Sequence, residues 1–194
     1  WFLRQRAAAR LVAAGDPAPD SPHRTLTRNA LLAAAEQDVR GALLLAGPRA
    51  PLFVLAGDMQ ARREQWAPAE RCFAEAVRLD PAEADGWAGL GQSRHARGDA
   101  DAAIEPLLRA VALQPEDPWT RNNLGVALRD ARRSAEARAQ FEEARWLSPR
   151  MFEPVYNMGL LEEMEGHIAE ARVRLSEARG LRPGFVPVEE ALRR

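Results

Sequence analysis

Residues 118–151 read PWTRNNLGVALRDARRSAEARAQFEEARWLSPRM, and this stretch decides the fold. Ala137, Phe141 and Ala144 are spaced to share one face of a helix. Leu147 stands two residues before Pro149, and a proline cannot continue the helix that precedes it. Gly125 falls in the earlier half. A helical glycine costs about 1 kcal/mol against alanine, so it needs an offsetting gain, which close approach of two helix axes supplies. The segment therefore reads as two antiparallel helices meeting along a seam of small side chains.

The same grammar recurs on both sides. Pro81, Pro115, Pro149 and Pro183 stand at a constant 34-residue spacing, the length of a helix–turn–helix repeat. Gly57, Gly91, Gly125 and Gly159 keep step with them, as do the alanine pairs Ala69/Ala76, Ala103/Ala110, Ala137/Ala144 and Ala171/Ala178. Phe73, Leu107, Phe141 and Leu175 lie between those alanines, and Leu79, Leu113, Leu147 and Leu181 precede the prolines. These residues resemble the tetratricopeptide repeat (TPR) family, over four consecutive units at 50–83, 84–117, 118–151 and 152–185. The resemblance implies an all-α, right-handed α-solenoid whose first helices line a concave groove. The chain departs from the family at two slots. Arg121 replaces the large apolar residue seen as Phe53, Trp87 and Val155, and Gln60, Arg94 and Glu162 fill a slot that often holds Tyr, with Leu128 apolar there. Both departures predict looser packing within the hairpins.

Outside the repeats, Trp1 to Val12 reads as a short basic amphipathic helix, with two readings: the stub after a membrane anchor upstream of Trp1, or a helix packed on the solenoid. The anchor reading favours the cytoplasm and a membrane-associated domain, with the periplasm as the alternative. Gly15 to Pro22 is a turn-rich linker. A long helix follows from about His23 to Ala46, in which Ala35, Val39 and Ala42 echo the second helix of the repeats. Residues 1–49 are thus N-terminal helices and a degenerate leading repeat, and 186–194 a C-terminal capping helix.

Net charge is −1, with 27 basic and 28 acidic residues, which gives no general attraction to nucleic acid. Every basic side chain except histidine is arginine, so Schiff-base and P-loop lysines are absent. Codon usage of a GC-rich genome accounts for that bias. Unit 118–151 carries seven arginines against four acids, a basic band whose plain explanation is solvated faces and inter-repeat ion pairs. Cys72, the single cysteine, excludes an intramolecular disulfide and reads as a small buried hydrophobe. His23, His95 and His167 lack partners at metal-ligand spacing, and Glu162, Glu163 and Glu165 read as a solvated face. No cofactor, metal or catalytic constellation is expected.

The inner face that the resemblance implies presents Asp58 and Arg62 from the first unit and Gln92 from the second. The third adds Trp119, Asn122, Asn123 and Arg129; the fourth adds Tyr156, Asn157, Leu160 and Met164. Asn123 and Asn157 hold equivalent places, where the family uses asparagine to grip a peptide backbone. Trp119, Tyr156 and Met164 are side chains of the kind that anchor interfaces. The slots of a carboxylate clamp hold Val54, Asp58, Gly89, Trp119 and Asn123, without the basic pair that two carboxylates require. The expected function is a non-catalytic interaction scaffold or adaptor binding an extended peptide or helix of a protein partner during complex assembly. Rival readings are a membrane-tethered assembly factor for a secretion or pilus system, a regulatory module of a larger enzyme, and self-association.

Overall fold

A computed structural model of the chain describes residues 22–192, which form helices and the turns between them, with no strand among the described residues. The amphipathic stretch from Trp1 to Val12, and the linker apart from Pro22, lie outside the described residues, and the tether reading with them. The helices are α1 (Pro22–Ala46), α2 (Ala50–Arg62), α3 (Trp66–Leu79), α4 (Ala84–Ala96) and α5 (Ala100–Leu113), then α6 (Pro118–Asp130), α7 (Ser134–Leu147), α8 (Phe152–Glu165), α9 (Ile168–Leu181) and α10 (Val186–Ala191). None of them is long and apolar enough to cross a membrane.

Local chemistry sets the starts and stops. The Asp117 carboxylate accepts from the amides of Trp119 at 3.1 Å and Thr120 at 2.9 Å, with Pro118 opening α6. Asp99 caps α5 in the same way through Ala102 N at 2.9 Å. Each hairpin turns through one residue in the left-handed region: Glu64 (φ 59°), Gly98 (φ 90°), Arg132 (φ 63°) and Gly166 (φ 83°). These four places keep the repeat spacing. Bonds from Gln65 N to Gln60 O (2.9 Å), Arg133 N to Leu128 O (2.8 Å) and His167 N to Glu162 O (2.9 Å) close the turns around three of them.

The chain divides into two compact units at Gly98 and Asp99, a division that falls between the two helices of segment 84–117. In the first unit α1 packs on α2 through Leu32, Ala35, Val39, Leu55 and Met59. The ring of Phe73 on α3 is wedged between α2 and α4, resting on the bare backbone of Gly57 and of Gly89. A β-carbon at either glycine would stand within 2.8 Å of that ring. Cys72, beside it, is half-buried rather than buried, because it lies one residue off the inward stripe; burial still pushes its thiol pKa up.

In the second unit, Leu107, Leu124, Leu128, Phe141 and Leu161 form one core. Phe141 lies against Gly125 and Leu175 against Gly159, as Phe73 does against Gly57. α10 covers the last hairpin by placing Val188 among Phe152, Val155, Leu175 and Ala178.

Arg121, Arg94 and Glu162 acquire a structural reason without the expected loosening, whereas the Gln60 side-chain oxygen is buried with no hydrogen-bond partner among the described residues. Arg121 Nε donates to the Pro115 carbonyl at 2.8 Å. Trp87 Nε1, one repeat earlier, donates to the Pro81 carbonyl at 2.9 Å. The arginine thus keeps the tryptophan's hydrogen bond, and the core behind it stays closed.

The second departure belongs to a contact that recurs between helices of successive repeats. Glu36 on α1 pairs with Arg63 at 3.0 Å. Glu70 on α3, one repeat on, pairs with Arg94 at 3.1 Å and also with Arg97. At the next equivalent place Ile104 on α5 packs with Leu128, and Ala131 packs against the same core. At the fourth, Arg138 on α7 pairs with Glu162 and, at 2.6 Å, with Glu165. One position is therefore acid against base twice, apolar once, and base against acid once.

Candidate functional site

The sequence-predicted residues fall in both compact units. Asp58 and Arg62 lie on α2 and Gln92 on α4, in the first. Gln92 is exposed and Asp58 half-buried. Burial pushes the Asp58 carboxyl up to about 6; Arg62 pulls it down and Asp85, on α4, pushes it further up.

The second unit holds the other eight, on α6 and α8, and separates them into two layers. Asn122 and Asn157 are buried. Asn157 Nδ2 donates to Asn122 Oδ1 at 2.9 Å, and its own Oδ1 accepts from Arg129 Nη1 at 3.3 Å. Arg129 Nε also donates to Asp130 at 2.9 Å. Asn157 therefore ties α6 to α8, and its amide is occupied within the chain. The place equivalent to it, Asn123, is half-buried, and its side-chain amide makes no hydrogen bond to the described residues. The two asparagines predicted to act as a pair thus have different surroundings.

The outer layer mixes large apolar side chains with polar and acidic ones. On α6 Trp119 is 55% exposed, and Asn123, Val126 and Asp130 follow it at helical spacing on the same face. On α8 the row is Glu153, Tyr156, Leu160 and then Glu163 with Met164, the methionine 40% exposed. Tyr156 is steadied by Phe152, stacked at 5.4 Å, and by Phe185, edge-on at 5.7 Å. The Arg182 guanidinium lies over the Phe185 ring at 4.9 Å. Fixed large side chains beside an amide can receive another chain, the apolar groups by burial and the amide by hydrogen bonding to backbone.

One cluster escaped the sequence reading. Glu162 was expected on a solvated face and His167 without a partner at metal-ligand spacing. Glu162 is 6% exposed, and His167 Nδ1 lies 2.9 Å from its Oε2 and 3.6 Å from Glu165. The Arg138 hydrogen bond holds the Glu162 carboxyl below its ordinary value against the effect of burial, with His167 helping. Ligand atoms of Glu162, Glu165 and His167 lie within 4.8 Å of one another, but Arg138 occupies both carboxylates. The signal that could have exposed this was Arg138 itself, which stands one repeat position after Ile104 and two after Glu70.

Similarity to known proteins follows the same lines. Residues 91–130 match the family model described as TPR repeat. The peroxisomal targeting signal receptor of Candida albicans is 32% identical over 45% of this chain and 16% of its own length. The chain spans between 5% and 18% of the length of the curated relatives it matches. YrrB, described as a TPR protein with an unusual peptide-binding site, has the same fold: TM-score 0.71 at 24% identity, over 88% of each chain. The first TPR of Spaghetti (RPAP3), bound to the HSP90 peptide SRMEEVD, superposes with TM-score 0.58 at 17% identity, over 60% of this chain and 93% of the other.

The class defined by these helices is the all-α helical-hairpin repeat protein, of α-solenoid type. Within that class, residues 91–130 carry the tetratricopeptide repeat that the matching family model describes, and the fold is that of TPR proteins such as YrrB.

Proposed function

We propose that this chain is a non-catalytic interaction scaffold that receives an extended segment or a helix of a protein partner on the outer face of α6 and α8, and so assists assembly of a larger complex. The observation that carries the reading is the exposed pair Trp119 and Met164, set on two helices locked together by Asn122, Asn157 and Arg129. An exposed tryptophan on a rigid frame loses little entropy on contact and buries a large area, which makes it an interface anchor. The peptide-binding site named for YrrB and the peptide complex of Spaghetti support the same kind of use. Asp58, Arg62 and Gln92 are candidate contacts of the same kind on the first unit.

The test is a pull-down with the intact chain, its captured proteins identified by mass spectrometry and compared between variants. Trp119→Ala with Met164→Ala should lose the specific partner. Trp146→Ala should keep it, since Trp146 is 76% exposed on α7 and lies outside this face. Equal capture by both variants refutes the assignment. The asparagine pair needs separate treatment: Asn123→Ala should weaken capture at unchanged stability, whereas Asn157→Ala should cost stability.

A further inference from the structure

We infer that the first two turns of α9 receive an acidic amphipathic helix of a partner protein, docked end to end with α10 on Ile168 and Arg172. The inter-repeat contact supplies the template. Glu36, Glu70, Ile104 and Arg138 hold its place in succession, and each is paired with or packed against the next first helix or the turn that ends it. Arg172 is the next residue of that series, one repeat after Arg138. It is exposed and makes no ion pair or hydrogen bond with the described residues. Its own helix offers no acid three or four residues away, where Ile168, Ala169, Leu175 and Ser176 stand. Ile168, one turn earlier on the same face, is 52% exposed. α10 takes the place of the next first helix but is short: Val186 corresponds to Phe152, and Leu192, just past its end, to Met158. Val188 therefore covers Leu175 and Ala178, and no described residue corresponds to Leu161, Glu162 or Glu165. The occupant's chemistry follows from the way α8 sits on α7. There Arg138 holds Glu162 and Glu165 while Leu161 packs in the core. A helix reading apolar, acid, any, any, acid would repeat that contact, its apolar residue covering Ile168 and its two carboxylates meeting the Arg172 guanidinium. A basic residue at those places would set like charge against Arg172.

The test is fluorescence anisotropy with three labelled peptides of about twelve residues, each stapled so that it is helical. They share a leucine at the place of Leu161 and carry Glu, Gln or Lys at the places of Glu162 and Glu165. The Glu peptide should bind about fivefold tighter than the Gln peptide, with the Lys peptide weakest, and the spread should shrink as salt is raised. Arg172→Glu, at an exposed position, should leave the circular dichroism unchanged and reverse that order. Ile168→Ser should weaken all three peptides alike. An order that Arg172→Glu leaves as it was overturns the inference, as does equal affinity for the three peptides or no binding by any. Binding lost in Trp119→Ala moves the peptide to the α6–α8 face and overturns it as well. Light scattering that finds a dimer of the unaltered chain and a monomer of Arg172→Glu would seat a second copy on α9 and overturn the choice of occupant.

Discussion

Replacing Gly57 by alanine tests the claim that these helices meet on bare backbone. The new methyl would stand 2.6 Å from Cε1 and 2.7 Å from Cζ of Phe73. Unstrained carbon contacts lie at about 3.5–4.0 Å, so roughly 1 Å of relief is needed. The ring cannot supply it, because its far side rests on Gly89, where a β-carbon would stand 2.4 Å away, and the side chain is 1% exposed. Relief must come from separating α2 from α3, at an overpacking cost of about 1–3 kcal/mol. Alanine returns about 1 kcal/mol of helix propensity. The net expectation is a loss of up to about 2 kcal/mol. Gly180→Ala is the matched control: it lies in α9 with nothing within 4 Å of the added carbon, so it should gain about 0.5–1 kcal/mol. Urea unfolding followed by far-ultraviolet circular dichroism measures both. Combining Gly57→Ala with Phe73→Leu should be less costly than the sum of the two single changes. If Gly57→Ala stabilises the chain as Gly180→Ala does, the seam is not where the packing is tight and the reasoning fails.

The turns give a second expectation. Arg132→Gly and Glu64→Gly should each stabilise by about 1 kcal/mol, because non-glycine residues are strained in the left-handed region, and Gly98→Ala and Gly166→Ala should each lose a similar amount in thermal melts. Polarity can be exchanged at the fourth inter-repeat contact: Arg138→Glu alone should cost about 2–3 kcal/mol by replacing the arginine on the buried Glu162 carboxylate with a like charge, and adding Glu162→Arg and Glu165→Arg should restore most of it in denaturant titrations. Asp58 sets a pH dependence. Its folded pKa of about 6 lies above the ordinary value of 3.8, so its contribution is fully present below pH 4 and is lost as pH rises through 6. Asp58→Asn should therefore raise stability at pH 7 by roughly 2–3 kcal/mol and flatten that part of the profile. A variant whose profile keeps the same slope between pH 4 and 6 would place the titration elsewhere.

The fold was legible because its determinants are periodic. Small residues at Gly57, Gly125 and Gly159, and bulky ones at Phe73, Phe141 and Leu175, recur at one spacing, and contacts within a hairpin are local in sequence. The candidate face was legible only in outline. Trp119 and Met164 can be placed on it by register, but Asn123 and Asn157 look alike in sequence and differ in burial, since that depends on what Asn122 and Arg129 do one helix away. Glu162 is hidden for the same reason: it reads as solvated until its partner, 24 residues earlier, is known. The left-handed turns were half visible, through Gly98 and Gly166, and half hidden behind Glu64 and Arg132.

The changing polarity of the inter-repeat contact has a consequence for how the chain finds its own order. Hairpins with one backbone shape could dock one place early or late, a known hazard of repeated structures. In the second unit such a slip is penalised: Ile104 would face Glu162 and Glu165, or Arg138 would face Leu128 and Ala131, each leaving a desolvated charge without a counterion. In the first unit the same slip is almost free, because Glu36 could accept Arg94 and Arg97 as readily as Arg63. The chain thus carries an address at one end and leaves the other nearly unmarked, so out-of-register intermediates during refolding should gather among α1 to α4.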